Sequence, residues 1–277
     1  MCKRDGCTPY GRSVRTISLA AGTILDVGPA DAVDVAADAG FASVGIWFDA
    51  ATWTDAVADA VRVRAADRGV TILDIEPIML VPAGSTKLDH GEAIVDAAVR
   101  AGAHNVLLAS RDIDDGRVAD RLHELASRLK GTDIRLVLEF LPILGVRTLP
   151  QALSIVAAAD HPCLGVLVDN LHLSRAGHVP ADLANVDARL LPYVQVCDAP
   201  AEPIDPSIPA LLHEALHGRQ LPGEGGLPIA ELLAVVPKVP ISLELRSEHL
   251  RTSYPNPVDR AQVVRVAMER MLAAGSL

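Results

Sequence analysis

The run Leu164-Gly165-Val166-Leu167-Val168 is apolar from end to end and stops at Asp169. Leu136-Val137-Leu138 behaves alike and stops at Glu139, and Val70-Thr71-Ile72-Leu73 leads to Glu76. A strand with one wet face alternates polar and apolar residues. A strand apolar at nearly every position is buried on both faces, which is the condition of a parallel sheet covered by crossover helices. Outward from these runs the same unit repeats along the whole chain. Strands are predicted over residues 17–21, 43–48, 70–76, 105–109, 134–139, 163–169, 192–197 and 241–245. Ala-rich amphipathic helices are predicted over 29–39, 52–68, 88–101, 117–130, 149–159, 180–189, 228–236 and 257–274. Gly40, Gly69, Gly102 and Gly131 stand just past four of these helices, where a left-handed residue ends the turn.

Eight βα units within 277 residues, without a break in composition, predict one (β/α)8 TIM barrel over residues 16–277 behind a flexible tail at 1–15. A doubly wound dinucleotide fold would carry Gly-x-Gly-x-x-Gly after its first strand, and Gly22 stands alone there. Half of the residues are hydrophobic, which excludes a disordered chain. The longest stretch without a charge, 148–159, is far short of a membrane span of ~20 residues. A net charge of −10 and an aromatic content of 3% suit neither phosphate neutralisation nor base stacking, so nucleic acid is excluded as a partner. The polar N-terminus has no apolar signal core, and four cysteines fit a reducing compartment, which together predict a cytoplasmic protein. Cys2 and Cys7 lie in the tail, with no further ligands nearby to complete a zinc site.

In a barrel of this kind the reactive groups sit at the C-terminal ends of the strands. Here those ends carry Glu76, Glu139, Asp169, Gln195 with Asp198, and Glu244 with Arg246. A carboxylate that terminates a buried strand is costly unless it is paired or protonated. Carboxylates from strands 5, 6 and 8 converge across a barrel mouth, and a divalent cation held by oxygen donors relieves their repulsion, with Gln195 as a neutral fourth ligand. The alternative is that each acid pairs with a loop arginine or caps the following helix.

The ordered set Leu138-Glu139-Phe140-Leu141-Pro142, Val168-Asp169-Asn170-Leu171-His172, Val194-Gln195-Val196-Cys197-Asp198, Leu221-Pro222-Gly223-Glu224-Gly225 and Leu243-Glu244 resembles the xylose-isomerase-like barrels of the sugar-phosphate isomerase/epimerase group. The resemblance runs from about Ile17 to the last helix. It implies a Mn2+-, Mg2+- or Co2+-type site made by Glu139, Asp169, residue 195 and Glu244, and homo-oligomers are common among such barrels. Gln195 stands where the family usually has histidine. Its harder oxygen favours Mn2+ or Mg2+ over Zn2+. The arginine that some ketose epimerases use six residues past that ligand is Ala201 here, and Arg246 could substitute in holding substrate.

Such a site acidifies the C–H between a carbonyl and an adjacent hydroxyl and stabilises the enediolate. With Glu139 and Glu244 exchanging the proton, the expectation is an isomerase or epimerase of a sugar, cyclitol or related polyol. His172 matches the Asp-x-x-His histidine of the resemblance and would bond a substrate oxygen or relay a proton. Glu76 would line the pocket. A substrate bearing a β leaving group would turn the same site into a lyase or dehydratase. A barrel that has lost its metal and serves as a partner subunit is a further alternative. His213-Glu214-Ala215-Leu216-His217 matches the H-E-x-x-H of zinc peptidases, but Glu231, the next acid that would complete that site, belongs to the following helix. The segment reads instead as a surface helix that partly lids the pocket. The 221–226 turn lacks the Gly-Lys-Ser/Thr ending of a phosphate loop.

Overall fold

A computed structural model describes residues 15–203 and 205–275. Along the chain it has β1 (Ile17–Leu19), α1 (Pro29–Asp38), β2 (Ser43–Trp47), α2 (Asp55–Arg68), β3 (Thr71–Leu80), α3 (Gly91–Ala101), β4 (Asn105–Ser110), α4 (Asp115–Arg128) and β5 (Arg135–Glu139). There follow α5 (Leu149–Ala159), β6 (Leu164–Asp169), α6 (Asn170–Arg175), β7 (Val194–Val196), α7 (Ile208–His217), α8 (Ile229–Val235), β8 (Ile241–Leu243), α9 (Glu248–Ser253) and α10 (Pro257–Gly275). The strands pair in sequence order, all parallel, and β8 closes on β1 through Ile17↔Ile241, Ser18↔Ser242 and Leu19↔Leu243. This is a single (β/α)8 barrel. The tail expected at 1–15, with Cys2 and Cys7, lies outside the described residues except for Arg15, which donates to the carbonyls of Leu233 and Pro237.

Local chemistry fixes the helices that frame the barrel. Thr54, Asp114 and Thr148 accept the backbone N–H of Val57, Arg117 and Gln151, satisfying first-turn donors at about 1 kcal/mol each. Gly69 and Gly102 close α2 and α3 at φ 66° and 75°, a region any side chain would strain. Inside the barrel Leu73, Leu107, Val137, Leu167 and Tyr193 form one packed layer, a floor on which the polar groups stand.

Two features differ from the sequence expectation. Residues 180–189 form no α-helix. They make two 3₁₀ turns, Pro180–Leu183 and Ala188–Leu190, because Asp182 and Asp187 bond the backbone N–H groups of Val179 and Arg189 and so compete with helical pairing. The β6 crossover instead begins at once with α6, capped by Asp169. The third strand continues four residues past Glu76 to Leu80, through a register shift on each side of that region. Such irregularities re-aim side chains at a barrel rim, and here they bring Glu76, Pro77 and Met79 to the cavity.

Candidate active site

A cavity of about 400 Å³ opens at the C-terminal ends of the strands. Glu76, Glu139, His172, Gln195, Glu244 and Arg246 all line it, so six of the seven site residues expected from sequence meet there. The seventh, Asp169, is fully buried beside them at the end of β6, in register with Gln195. A wider groove between α10 and the 221–224 turn lies elsewhere on the molecule.

Asp169 organises the centre. Its Oδ1 accepts the N–H groups of Leu171 (2.7 Å) and His172 (3.2 Å), and this cap turns His172 inward over the mouth. Its Oδ2 accepts Nη1 of Arg219 at 2.6 Å. Arg219 also pairs with Glu244 at 3.1 Å and approaches Nε2 of His172 at 3.5 Å. That contact assigns Nε2 as the acceptor nitrogen of a neutral ring. The His172 Nε2 lies 3.9 Å from Oε1 of Glu139.

Sequence reasoning missed Arg219. It lies in the loop after α7, and no motif marks it. What delivers it to the mouth is tertiary: two isolated antiparallel bridges, Asp198↔Gln220 and Gly218↔Ser247, clamp its backbone between the ends of β7 and β8. Asp198, read from sequence among the strand-end donors, has a different task. Its carboxylate accepts the N–H groups of Ala199, Gly223 and Leu227 and so holds the 221–226 turn. The Glu214 of the H-E-x-x-H segment is engaged by Arg175 at 2.7 and 2.8 Å, while His213 and His217 face outward. Leu212, Ala215 and Leu216 of the same helix wall the cavity, so α7 does cover the pocket.

The electrostatics show a shortage of positive charge. Burial, then the charges of Asp169 and Glu244, push the Glu139 carboxyl well above its ordinary range. Burial, then Asp74, Glu244 and Glu139, does the same to Glu76. Burial raises Glu244 as well, against the pull of Arg219. At Asp169 burial is outweighed by Arg219 and His172, and its carboxyl stays below the usual range. Burial lowers His172 to about 4, so the ring is neutral at physiological pH. Below the mouth, burial and the charge of Glu244 lift Asp74 to about 7, opposed by the facing hydroxyl of Tyr193.

These residues fit a divalent cation. Glu139, Asp169 and His172 offer ligand atoms within 4.8 Å of one another, a possible metal site. Both amide atoms of Gln195 and one oxygen of Glu76 are buried with no hydrogen-bond partner among the described residues. An orphaned buried amide is costly, and a hard cation is the kind of partner that would satisfy its oxygen. The fold also reserves room for a carboxylate: a Cβ on Gly22 would collide with Oε1 of Glu244.

Comparison with known proteins agrees with this fold. The family model for the xylose isomerase-like TIM barrel matches residues 33–273. The 3-dehydroshikimate dehydratase of Pseudomonas aeruginosa is 29% identical over 257 residues, 87% of this chain and 39% of that protein. The chain thus spans about two fifths of the length of that relative. The solved IOLI protein, which carries a bound zinc atom, superposes with a TM-score of 0.76 at 15% identity, over 94% of this chain and 98% of its own. D-psicose 3-epimerase, solved in the presence of D-fructose, gives 0.69 at 13% identity, over 93% and 98%.

Proposed function

This chain belongs to the xylose isomerase-like TIM barrel family, and from that premise we propose that it is a divalent-metal-dependent dehydratase. Its substrate would be a small cyclic hydroxy-ketone of the 3-dehydroshikimate type. The observation that carries the reading is the make-up of the cavity wall. Interleaved with the acids, Met79, Leu107, Ala109, Leu141, Ile143 and Leu144 form an apolar part of its lining. An open-chain sugar carries a hydroxyl on nearly every carbon, and each would lose its water against such a wall without a replacement. A carbon ring presents a face that the wall can cover. The dehydratase relative supports the same choice.

Glu139, Asp169 and Glu244 would hold the cation, with Gln195 as a neutral donor and His172 adjacent. When bound, the cation polarises the substrate carbonyl and so acidifies the neighbouring C–H. Asp169, fixed by two backbone donors and Arg219, serves as an anchor, because a carboxylate so engaged is a weak base. Glu139 carries no such hydrogen bonds among the described residues and is the better proton acceptor. Glu76, raised by burial and lining the cavity, holds a proton that it can give to the departing hydroxyl, which leaves as water. Neutral His172, held beside Arg219 and Glu139, orients a substrate hydroxyl. The α7 side chains limit water access above.

The second reading is the isomerase or epimerase expected from sequence. It is favoured by Glu139 and Glu244 flanking the β6 and β7 groups from either side, an arrangement suited to proton exchange between two faces. The test is incubation with 3-dehydroshikimate and Mn2+ or Mg2+, with ketohexoses in D2O run in parallel. The expected result is ultraviolet absorbance from the aromatic 3,4-dihydroxybenzoate that remains after loss of water. No aromatic product, with deuterium entering the α-carbon of a ketose, would replace the dehydratase by the isomerase.

A further inference from the structure

Arg246 is the guanidinium in the cavity that the mechanism leaves unused. Its Cζ stands 5.9 Å from the centroid of the Trp47 ring, and none of its N–H groups is hydrogen-bonded among the described residues. The contrast with its neighbours is direct: Arg219 is consumed by Asp169 and Glu244, and Arg175 by Glu214. An arginine placed over an indole gains a cation–π attraction, and its edge remains open to a planar two-oxygen acceptor. Arg111, at the exposed end of β4 on the far rim, is likewise free of side-chain hydrogen bonds and lines the same cavity.

The charge arrangement gives this open edge a purpose. An anionic ligand approaching Glu76, Glu139, Asp169 and Glu244 meets repulsion that Arg246 opposes with an uncommitted guanidinium, and its positive charge also offsets Glu76 and Glu244 from a distance. We propose that Arg246, stacked on Trp47, is the specificity-determining residue that receives a carboxylate carried by the substrate, while Arg111 steers the anion inward across the mouth. A carboxylate presents two coplanar oxygens to the fork. A phosphate carries more negative charge, and the adjoining α9 disfavours it, since Glu248 places a like charge in its first turn. The inference rests on the cavity being an active site for a ring ketone, and it adds the group that selects the ring.

The test separates the two. Calorimetric titrations of the Mn2+-loaded full chain use 3,4-dihydroxybenzoate and catechol, which share the ring and its paired hydroxyls and differ in the carboxylate. Wild type is expected to bind the carboxylate about tenfold more tightly or better, and Arg246→Gln to bring the two within about twofold with catechol affinity unchanged. Arg246→Lys retains part of the preference, and Arg111→Gln weakens the acid by less than about threefold, in a salt-sensitive manner. Melting temperatures verify that the variants fold. Undiminished preference in Arg246→Gln overturns the proposal, as does wild type that shows no preference or binds neither compound. Preference governed by Arg246 without turnover of 3-dehydroshikimate would retain the carboxylate subsite and discard the dehydratase. Turnover without such preference would do the reverse.

Discussion

Nη1 of Arg219 lies 2.6 Å from Oδ2 of Asp169, and both side chains are at most 2% exposed. Arg219 is the positive member of a centre built mainly from acids, with Glu244 as its second partner at 3.1 Å. Deleting one member of such a buried cluster leaves the others without compensation. Arg219→Met is therefore expected to cost about 3–5 kcal/mol in urea unfolding of the chelator-treated protein. Mn2+ should recover part of that loss in the variant, because the cation supplies charge to the same carboxylates. Equal stability of variant and wild type in chelator would show that the pair carries no such weight.

The space for Glu244 is set by Gly22, just past β1, where an added Cβ would strike Oε1 and the side-chain carbons of that residue. Gly22→Ala lies in a tightly bound 3₁₀ turn and needs no unusual backbone angle. Its effect should thus fall on the carboxylate. We expect Mn2+ affinity to fall about 10–100-fold, as for other changes that displace a ligand's surroundings, with a shift in melting temperature of a few degrees. Unchanged affinity by calorimetry would mean that Glu244 does not contribute to cation binding.

Asp74 gives the metal-free protein a pH dependence of defined sign. Its carboxyl is raised from 3.8 to about 7 by burial, with Glu244 adding to the effect. The folded chain therefore holds a proton that the unfolded chain releases, and stability present below about pH 4 is lost as pH rises through about 7. The displacement corresponds to about 4 kcal/mol at most. Asp74→Asn keeps the shape without the charge, so its stability relative to wild type should grow between pH 4.5 and pH 8. His172 acts oppositely: lowered to about 4, it destabilises the fold as pH falls below about 6.5, so the comparison should be repeated in His172→Gln. Parallel stability curves for Asp74→Asn and wild type would remove the assignment.

The barrel and most of its mouth were legible because both depend on periodic or terminal signals. Doubly apolar strands report burial on two faces, and an acid ending such a strand reports a rim position, which is how Glu139, Asp169 and Glu244 could be picked out. Arg219 could not be, since its place depends on bridges between residues 20 and more positions apart in sequence, Asp198 with Gln220 and Gly218 with Ser247. Residues 180–189 misled for a local reason: their aspartates prefer bonds to nearby backbone over a helical turn. The third strand, expected to end at Glu76, runs on through Pro77 because an irregular strand accommodates a proline where a regular ladder does not. The H-E-x-x-H pattern was a coincidence of composition, since its glutamate is committed to Arg175.

Gln195 separates the proposed cation site from an acidic cluster satisfied by Arg219 alone. Its side chain is 1% exposed, and neither amide atom has a hydrogen-bond partner, an expensive state for a group that a leucine could replace. If its oxygen is a ligand, Gln195→Leu should lower Mn2+ affinity by about 10-fold or more, because the replacement fills similar volume without a donor. Gln195→His exchanges a hard oxygen for an imidazole nitrogen, so the ratio of Zn2+ to Mg2+ affinity should rise. If instead the orphaned amide is only a cost, Gln195→Leu should raise the melting temperature of the metal-free protein and leave Mn2+ binding untouched. Calorimetry and thermal unfolding on the same two variants decide between these outcomes, since a ligand and a mere burial defect move affinity and stability in different directions.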